Sequence, residues 1–177
     1  MYVPTPQQCR NMERLMAEDG LTALSQPQRS VIGRTALLVD SVNLYKSAKS
    51  VFGNRARPDY RKIREIAATY GRITSCEYFV NPGCANPGRW LYEAGYRVVR
   101  TTAPDLDETM LDHAVEAISQ GATAIVLATG DHRFAKIGKI CARLEVACVS
   151  IAVLGTQSRA LVAATQFHPA PIYRVAA

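Results

Sequence analysis

The sequence contains no run of about 18 apolar residues, so no membrane-spanning helix is expected. Its opening residues carry no apolar h-region, and a standard secretory signal is not expected either. The five cysteines (Cys9, Cys76, Cys84, Cys141 and Cys148) are odd in number and contain no Cys-x-x-Cys. That argues against a disulfide framework or a zinc site and for a reducing cytoplasm. There is no Gly-x-Gly-x-x-Gly after the first strand and no Gly-x-x-x-x-Gly-Lys-Ser/Thr, so dinucleotide and P-loop sites lack support. No Gly-x-Ser-x-Gly elbow is present. His113, His132 and His168 do not fall at metal-ligand spacing.

What is present is an ordinary globular composition, 48% hydrophobic and 20% charged, in 177 residues. That length suits one domain with an appendage. The net charge is +6, a surplus compatible with a polyanionic partner such as nucleic acid. Residues 1–33 read as the appendage. Gln7–Glu18 forms a helical pattern with Met12, Leu15 and Met16 as its stripe, and Gly20 and Ser25–Ser30 read as a stop and a linker. Packing on the domain, a homodimer contact and fraying all stay open for this segment.

Residues 34–177 alternate strand and helix. Strands are expected at Thr35–Val39, Ile73–Val80, Tyr96–Thr101, Thr123–Ala128 and Val146–Val153, with Ile172–Val175 as a final short edge strand. Helices are expected at Val42–Phe52, Asp59–Tyr70, Trp90–Ala94, Asp105–Gln120, Arg133–Leu144 and Ser158–Thr165. Gly53–Pro58 reads as a basic loop and Asn81–Gly88 as a turn-rich one. Leu144 is expected to face inward with Phe134, Ile137 and Cys141. Strands and helices of these lengths imply an α/β fold: a three-layer α/β/α sandwich around a mostly parallel central sheet.

Two apolar runs of strand length, Thr35–Val39 and Thr123–Ala128, each lead into an aspartate, Asp40 and Asp131. Unbroken apolar runs suit strands covered on both faces, and in such sheets ligands bind beyond the carboxyl ends of the strands. Each aspartate taken alone is equally a helix N-cap. A third acid comes from the helix after Leu106, whose apolar stripe is Leu106, Met110, Leu111, Ala114, Ala117 and Ile118. Asp107 falls near the middle of that stripe, where a lone buried carboxylate is costly and a polar site at the sheet rim would accommodate it. Asp112 points away from the stripe, and Asp105 is the natural cap. Carboxylates gathered at one spot repel, and a hard divalent cation such as Mg²⁺ relieves that. Asn43 is placed to orient a carboxylate, contact a phosphate, or stabilise its turn. A nucleophilic-aspartate phosphatase would want an acid at position 42, where Val42 stands.

The basic residues follow the same turns. Arg133, Lys136, Lys139 and Arg143 form one helix face after Asp131, and Lys46, Lys49, Arg55 and Arg57 follow Asp40. Both sets are either solvated faces or phosphate contacts. Trp90, Tyr92 and Tyr96 are candidates for base stacking or for packing.

Leu-Leu-Val-Asp40-Ser-Val-Asn43-Leu resembles the opening motif of NYN domains, the LabA-like branch of the PIN-like nuclease superfamily. Leu106-Asp107 with Asp112 at +5 resembles that family's two-aspartate helix, and Ala-Thr129-Gly130-Asp131-His-Arg-Phe134 resembles its Ser-Gly-Asp-x-Asp-Phe motif. The resemblance runs from Thr35 to Val175. It implies a PIN-like fold and a Mg²⁺- or Mn²⁺-dependent ribonuclease. Asp40, Asp107, Asp112 and Asp131 would be its acidic residues, with Asn43 beside them. Asp40, Asp107 and Asp131 would hold the metal, and Lys46, Arg133, Lys136 and Lys139 would bind RNA. One departure matters: Arg133 stands where the motif has its second aspartate. That substitution supports an alternative, a catalytically weak RNA-binding or regulatory protein on the same fold. A small-molecule phosphohydrolase using the same acids is a third reading.

Overall fold

A computed structural model describes residues 33–82, 88–101 and 106–175. The N-terminal helix expected at Gln7–Glu18, its linker, most of the turn-rich loop and the Asp105 cap lie outside these residues. The chain runs β1 (Arg34–Asp40), α1 (Ser41–Phe52), β2 (Ala56–Pro58), α2 (Tyr60–Ala68), β3 (Arg72–Val80) and α3 (Arg89–Glu93). It continues with β4 (Arg97–Arg100), α4 (Leu106–Ser119), β5 (Ala124–Ala128) and a 3₁₀ turn at His132–Phe134. The last elements are α5 (Ala135–Arg143), β6 (Ala147–Ala152), α6 (Arg159–Ala164), β7 (Gln166–Pro169) and β8 (Ile172–Arg174).

Six strands form one sheet in the order β4-β3-β1-β5-β6-β7, with every pairing parallel. The apolar run of β1 sits at its centre, buried from Thr35 to Asp40. Successive side chains alternate faces. Leu37 and Val39 therefore join Leu44, Ile63 and Leu91 of the first three helices in one core. Ala36 and Leu38 join Met110, Ile137 and Leu161 of the last three in the other. Each fully buried leucine or valine contributes about 1.5–3 kcal/mol.

The expectations depart from the fold in four places. Ile172–Arg174 is not an edge of the main sheet; it pairs antiparallel with Ala56–Pro58 in a separate two-stranded ribbon. Ala56–Pro58, read as loop, is therefore a strand, and its small inward residues Ala56 and Pro58 are buried. The sheet edge is instead Gln166–Pro169, a polar segment without a strand pattern, whose proline is tolerated at an edge. Leu144 is 56% exposed rather than inward, because the helix ends at Arg143 and Leu144 serves as its C-cap.

Helices α5 and α6 approach closely where Gly138 faces Ala164. A Cβ built on Gly138 would lie 2.2 Å from the Ala164 carbonyl oxygen. Backbone cannot yield there as a flexible side chain would, so Gly138→Ala is expected to cost about 2–3 kcal/mol. Urea denaturation checks this: the midpoint should fall with an unchanged slope.

Candidate functional site

The sheet reverses its direction of growth between β1 and β5. The chain adds β3 and β4 on one side of β1, then returns to add β5, β6 and β7 on the other. In such sheets the crevice opens at the carboxyl ends of the two strands that flank the reversal. Val39 pairs with Ala128, so Asp40 and the Thr129-Gly130-Asp131 turn emerge side by side. The first turn of α4 brings Asp107 to the same place. Asp40, Asn43, Lys46, Asn81, Asp107, Asp131 and Arg133 line a cavity of about 530 Å³.

Hydrogen bonds tie the two strand ends into one unit. Asp40 accepts from the Asn43 N–H at 2.9 Å and from the Thr129 hydroxyl at 3.2 Å. Asn43 Oδ1 in turn accepts from the Gly130 N–H at 2.9 Å. Asp131 accepts from the Arg133 N–H at 2.9 Å and lies 3.1 Å from His132 Nδ1. Both aspartates are thus helix caps and cavity residues at once; each spends one carboxylate oxygen on the cap. Asn43 acts as the bridge between the two turns, a role its sequence position alone left open.

Asp40 and Asp107 are buried, with relative exposures of 5% and 7%. Burial pushes Asp40 up to about 6, and repulsion from Asp107 and Asp131 adds to it, while the Asn43 and Thr129 hydrogen bonds hold it down. The cation facing these acids is Arg133. Its guanidinium pairs with Asp107 and lies 3.6 Å from Asp131 Oδ2. Arg133 therefore stands between two carboxylates, with half of its side chain exposed.

The donor set has the chemistry a hard divalent ion selects, oxygen ligands of like charge on a buried rim. As arranged, no three His, Cys, Asp or Glu side chains among the described residues close around one metal position. Arg133 supplies the positive charge there instead. The oxygens suit a divalent ion, and in this arrangement the half-exposed Arg133 guanidinium occupies the space between Asp107 and Asp131.

The remaining expected residues spread out. Asp112 is exposed and is not among the residues that line the cavity. Lys136 and Lys139 are exposed on α5 and also lie off the cavity lining, whereas Lys46 is part of it. Tyr96 is only 2% exposed and donates its hydroxyl to the Tyr60 carbonyl oxygen, so it belongs to the core and cannot stack a base. Trp90 is exposed, its ring centroid 5.7 Å from that of Tyr60. His132 stands beside Asp131 as its sequence position suggested.

Sequence reasoning missed a second polar cluster. Glu77, 4% exposed on β3, accepts from Ser75 at 3.0 Å, pairs with Arg97, and lies 2.7 Å from His113 Nδ1. Burial alone would raise its carboxyl, yet Arg97 and His113 outweigh that and hold it below the usual range. A cavity of about 580 Å³ opens beside it, lined also by Arg64 and Glu116. A lone Glu within a strand pattern gave no signal of partners 20 and 36 residues away.

Because Asp40 is held above its unfolded-state value near 3.8, its ionisation opposes folding. The stability tied to its protonated form is complete below about pH 4 and is lost as pH rises through about 6. Asp40→Asn removes that penalty. It should stabilise the protein at pH 7.5 by up to about 3 kcal/mol and much less at pH 4. Paired urea titrations at the two pH values check this; equal effects at both would show that Asp40 ionises freely.

Comparison with known proteins supports the same architecture. The model of the family described as NYN domain matches residues 34–171. None of the curated proteins matches the chain. Among solved structures, a protein of unknown function from Vibrio parahaemolyticus RIMD 2210633 superimposes with a TM-score of 0.68 at 19% identity. The match covers 80% of this chain and 95% of that one. At that identity the likeness is one of fold.

Proposed function

The chain belongs to the NYN-domain family, within the PIN-like nuclease superfamily, and from that premise we propose that it hydrolyses RNA phosphodiester bonds at the Asp40–Asp107–Asp131 cavity. The observation that carries this reading is the convergence of three carboxylates from β1, α4 and the turn after β5. They meet at the sheet's reversal point, and the buried Asp40 is pushed up to about 6. A protein gains nothing in stability from such crowding, and shifted carboxyls in a cleft are a mark of functional sites.

Asp40, Asp107 and Asp131 would hold a Mg²⁺ or Mn²⁺ ion. What a divalent cation supplies at such a site is an activated water and a counter-charge for the leaving oxygen. The chain's own residues do the rest. Asn43 fixes the spacing of the two acidic turns through its bond to Gly130. Arg133, released from Asp107, reaches a substrate phosphate, and Lys46 at the cavity wall adds a second contact. Lys136 and Lys139 extend that positive surface along α5.

A second reading is favoured by one specific contact. If the Arg133–Asp107 pair persists when RNA is bound, the guanidinium keeps the cation position and the protein binds RNA without cutting it.

Cleavage of a labelled structured RNA with Mn²⁺ or Mg²⁺ decides between them, with EDTA controls. Wild type should cut, and Asp40→Asn should cut at least about a hundredfold more slowly. Arg133→Ala should bind Mn²⁺ more tightly by calorimetry, since it removes a competing charge. RNA that is bound but left intact at saturating metal would retire the enzyme in favour of the binding protein.

A further inference from the structure

Residues 41–58 contain four cations (Lys46, Lys49, Arg55 and Arg57) and no Asp or Glu. The fold does not scatter them. Lys46 lines the acidic cavity, and Lys49 lies one turn further along α1. Lys49 Nζ is 5.3 Å from the centroid of the Tyr45 ring, and Arg57 Cζ is 5.1 Å from the same centroid. Arg57 is further anchored by two bonds from Nη1, to the Asn54 and Ala56 carbonyl oxygens at 2.7 and 2.8 Å. Its guanidinium is a plate fixed by backbone rather than a free surface charge.

The β2–β8 ribbon adds the next member. Arg57 is the register partner of Tyr173, and residues directly opposite share one face of a sheet. The other face carries Ala56 and Pro58, both buried, with Ile172 packed on the core. Arg57 and Tyr173 therefore share the outward face, where Tyr173 is half exposed. Arg55, exposed, flanks the ribbon and accepts from the Val175 N–H through its carbonyl oxygen. An exposed tyrosine beside an anchored guanidinium, framed by Lys46 and Lys49, has the chemistry of a single-strand platform. Such sites pair base stacking with backbone neutralisation.

We infer that this surface is a track for single-stranded RNA. Tyr173 and Arg57 stack unpaired bases, Tyr45 positions Arg57 and Lys49, and Lys49 and Lys46 carry the phosphates into the acidic cavity. The track presupposes that the cavity is where RNA is cut. It goes further by fixing which side the strand enters from and by requiring unpaired bases.

The test is anisotropy binding of a fluorescein-labelled single-stranded RNA of about 12 nucleotides. It uses the full chain in EDTA, so that binding is read apart from cleavage. Tyr173→Ala should weaken binding about tenfold. Tyr173→Phe, which keeps the ring, should bind like wild type and guards against a folding artefact. Lys49→Ala should lower the slope of log affinity against log salt by about 0.7, one phosphate contact. Duplex RNA of the same length should be indifferent to Tyr173→Ala, since its bases are not free to stack. If Tyr173→Ala binds the single strand as wild type does while Asp40→Asn still abolishes cutting, the track is wrong and the nucleolytic reading stands. If wild type neither binds the strand nor cuts RNA with Mn²⁺, both fall together.

Discussion

Three carboxylates share one cavity at the carboxyl ends of β1 and β5, and the charge they bring there has to be met. Asp40 meets part of it by holding its proton more tightly, with a carboxyl pushed up to about 6. Asp107 meets its share through Arg133, and Asp131 through N–H donors and the same guanidinium. The surrounding architecture follows from this requirement. The Thr129 hydroxyl and the Asn43 backbone N–H both donate to Asp40, and the parallel sheet supplies the rim on which the acids sit.

Arg133 gives the site its particular character. A guanidinium between carboxylates is a fixed-geometry cation that never loses its charge. A divalent ion is smaller, more highly charged and exchangeable. Carboxylate oxygens suit either kind of cation, and here Asp107 and Asp131 face the guanidinium. This is why the proposed enzyme and the proposed binding protein differ here by the position of a single residue rather than by fold.

Much of this was legible in the sequence, for identifiable reasons. Thr35–Val39 and Thr123–Ala128 announce central strands because both faces are covered, leaving unbroken apolar runs. Asp40, Asp107 and Asp131 stood out because each breaks or terminates an apolar pattern. The failures are as specific. Gln166–Pro169 and Ala56–Pro58 are held by tertiary neighbours and lack any local pattern that would mark them as strands. The pairing of Arg133 with Asp107 and the Glu77–His113–Arg97 cluster join distant segments, and periodicity within one segment carries no information about what crosses to meet it.

The bond from the Gly130 N–H to Asn43 spans 87 residues, and that from Thr129 to Asp40 spans 89. Ribosomes deliver a chain from its N-terminus over seconds. Throughout the interval between the first turn and the second, Asp40 and Asn43 exist without the partners that hold them. The acidic cavity therefore cannot assemble on a growing chain until β5 has emerged and paired with β1. The long connection between the two motifs acts as a built-in delay: the carboxylates meet only after the helices and strands between them have been made.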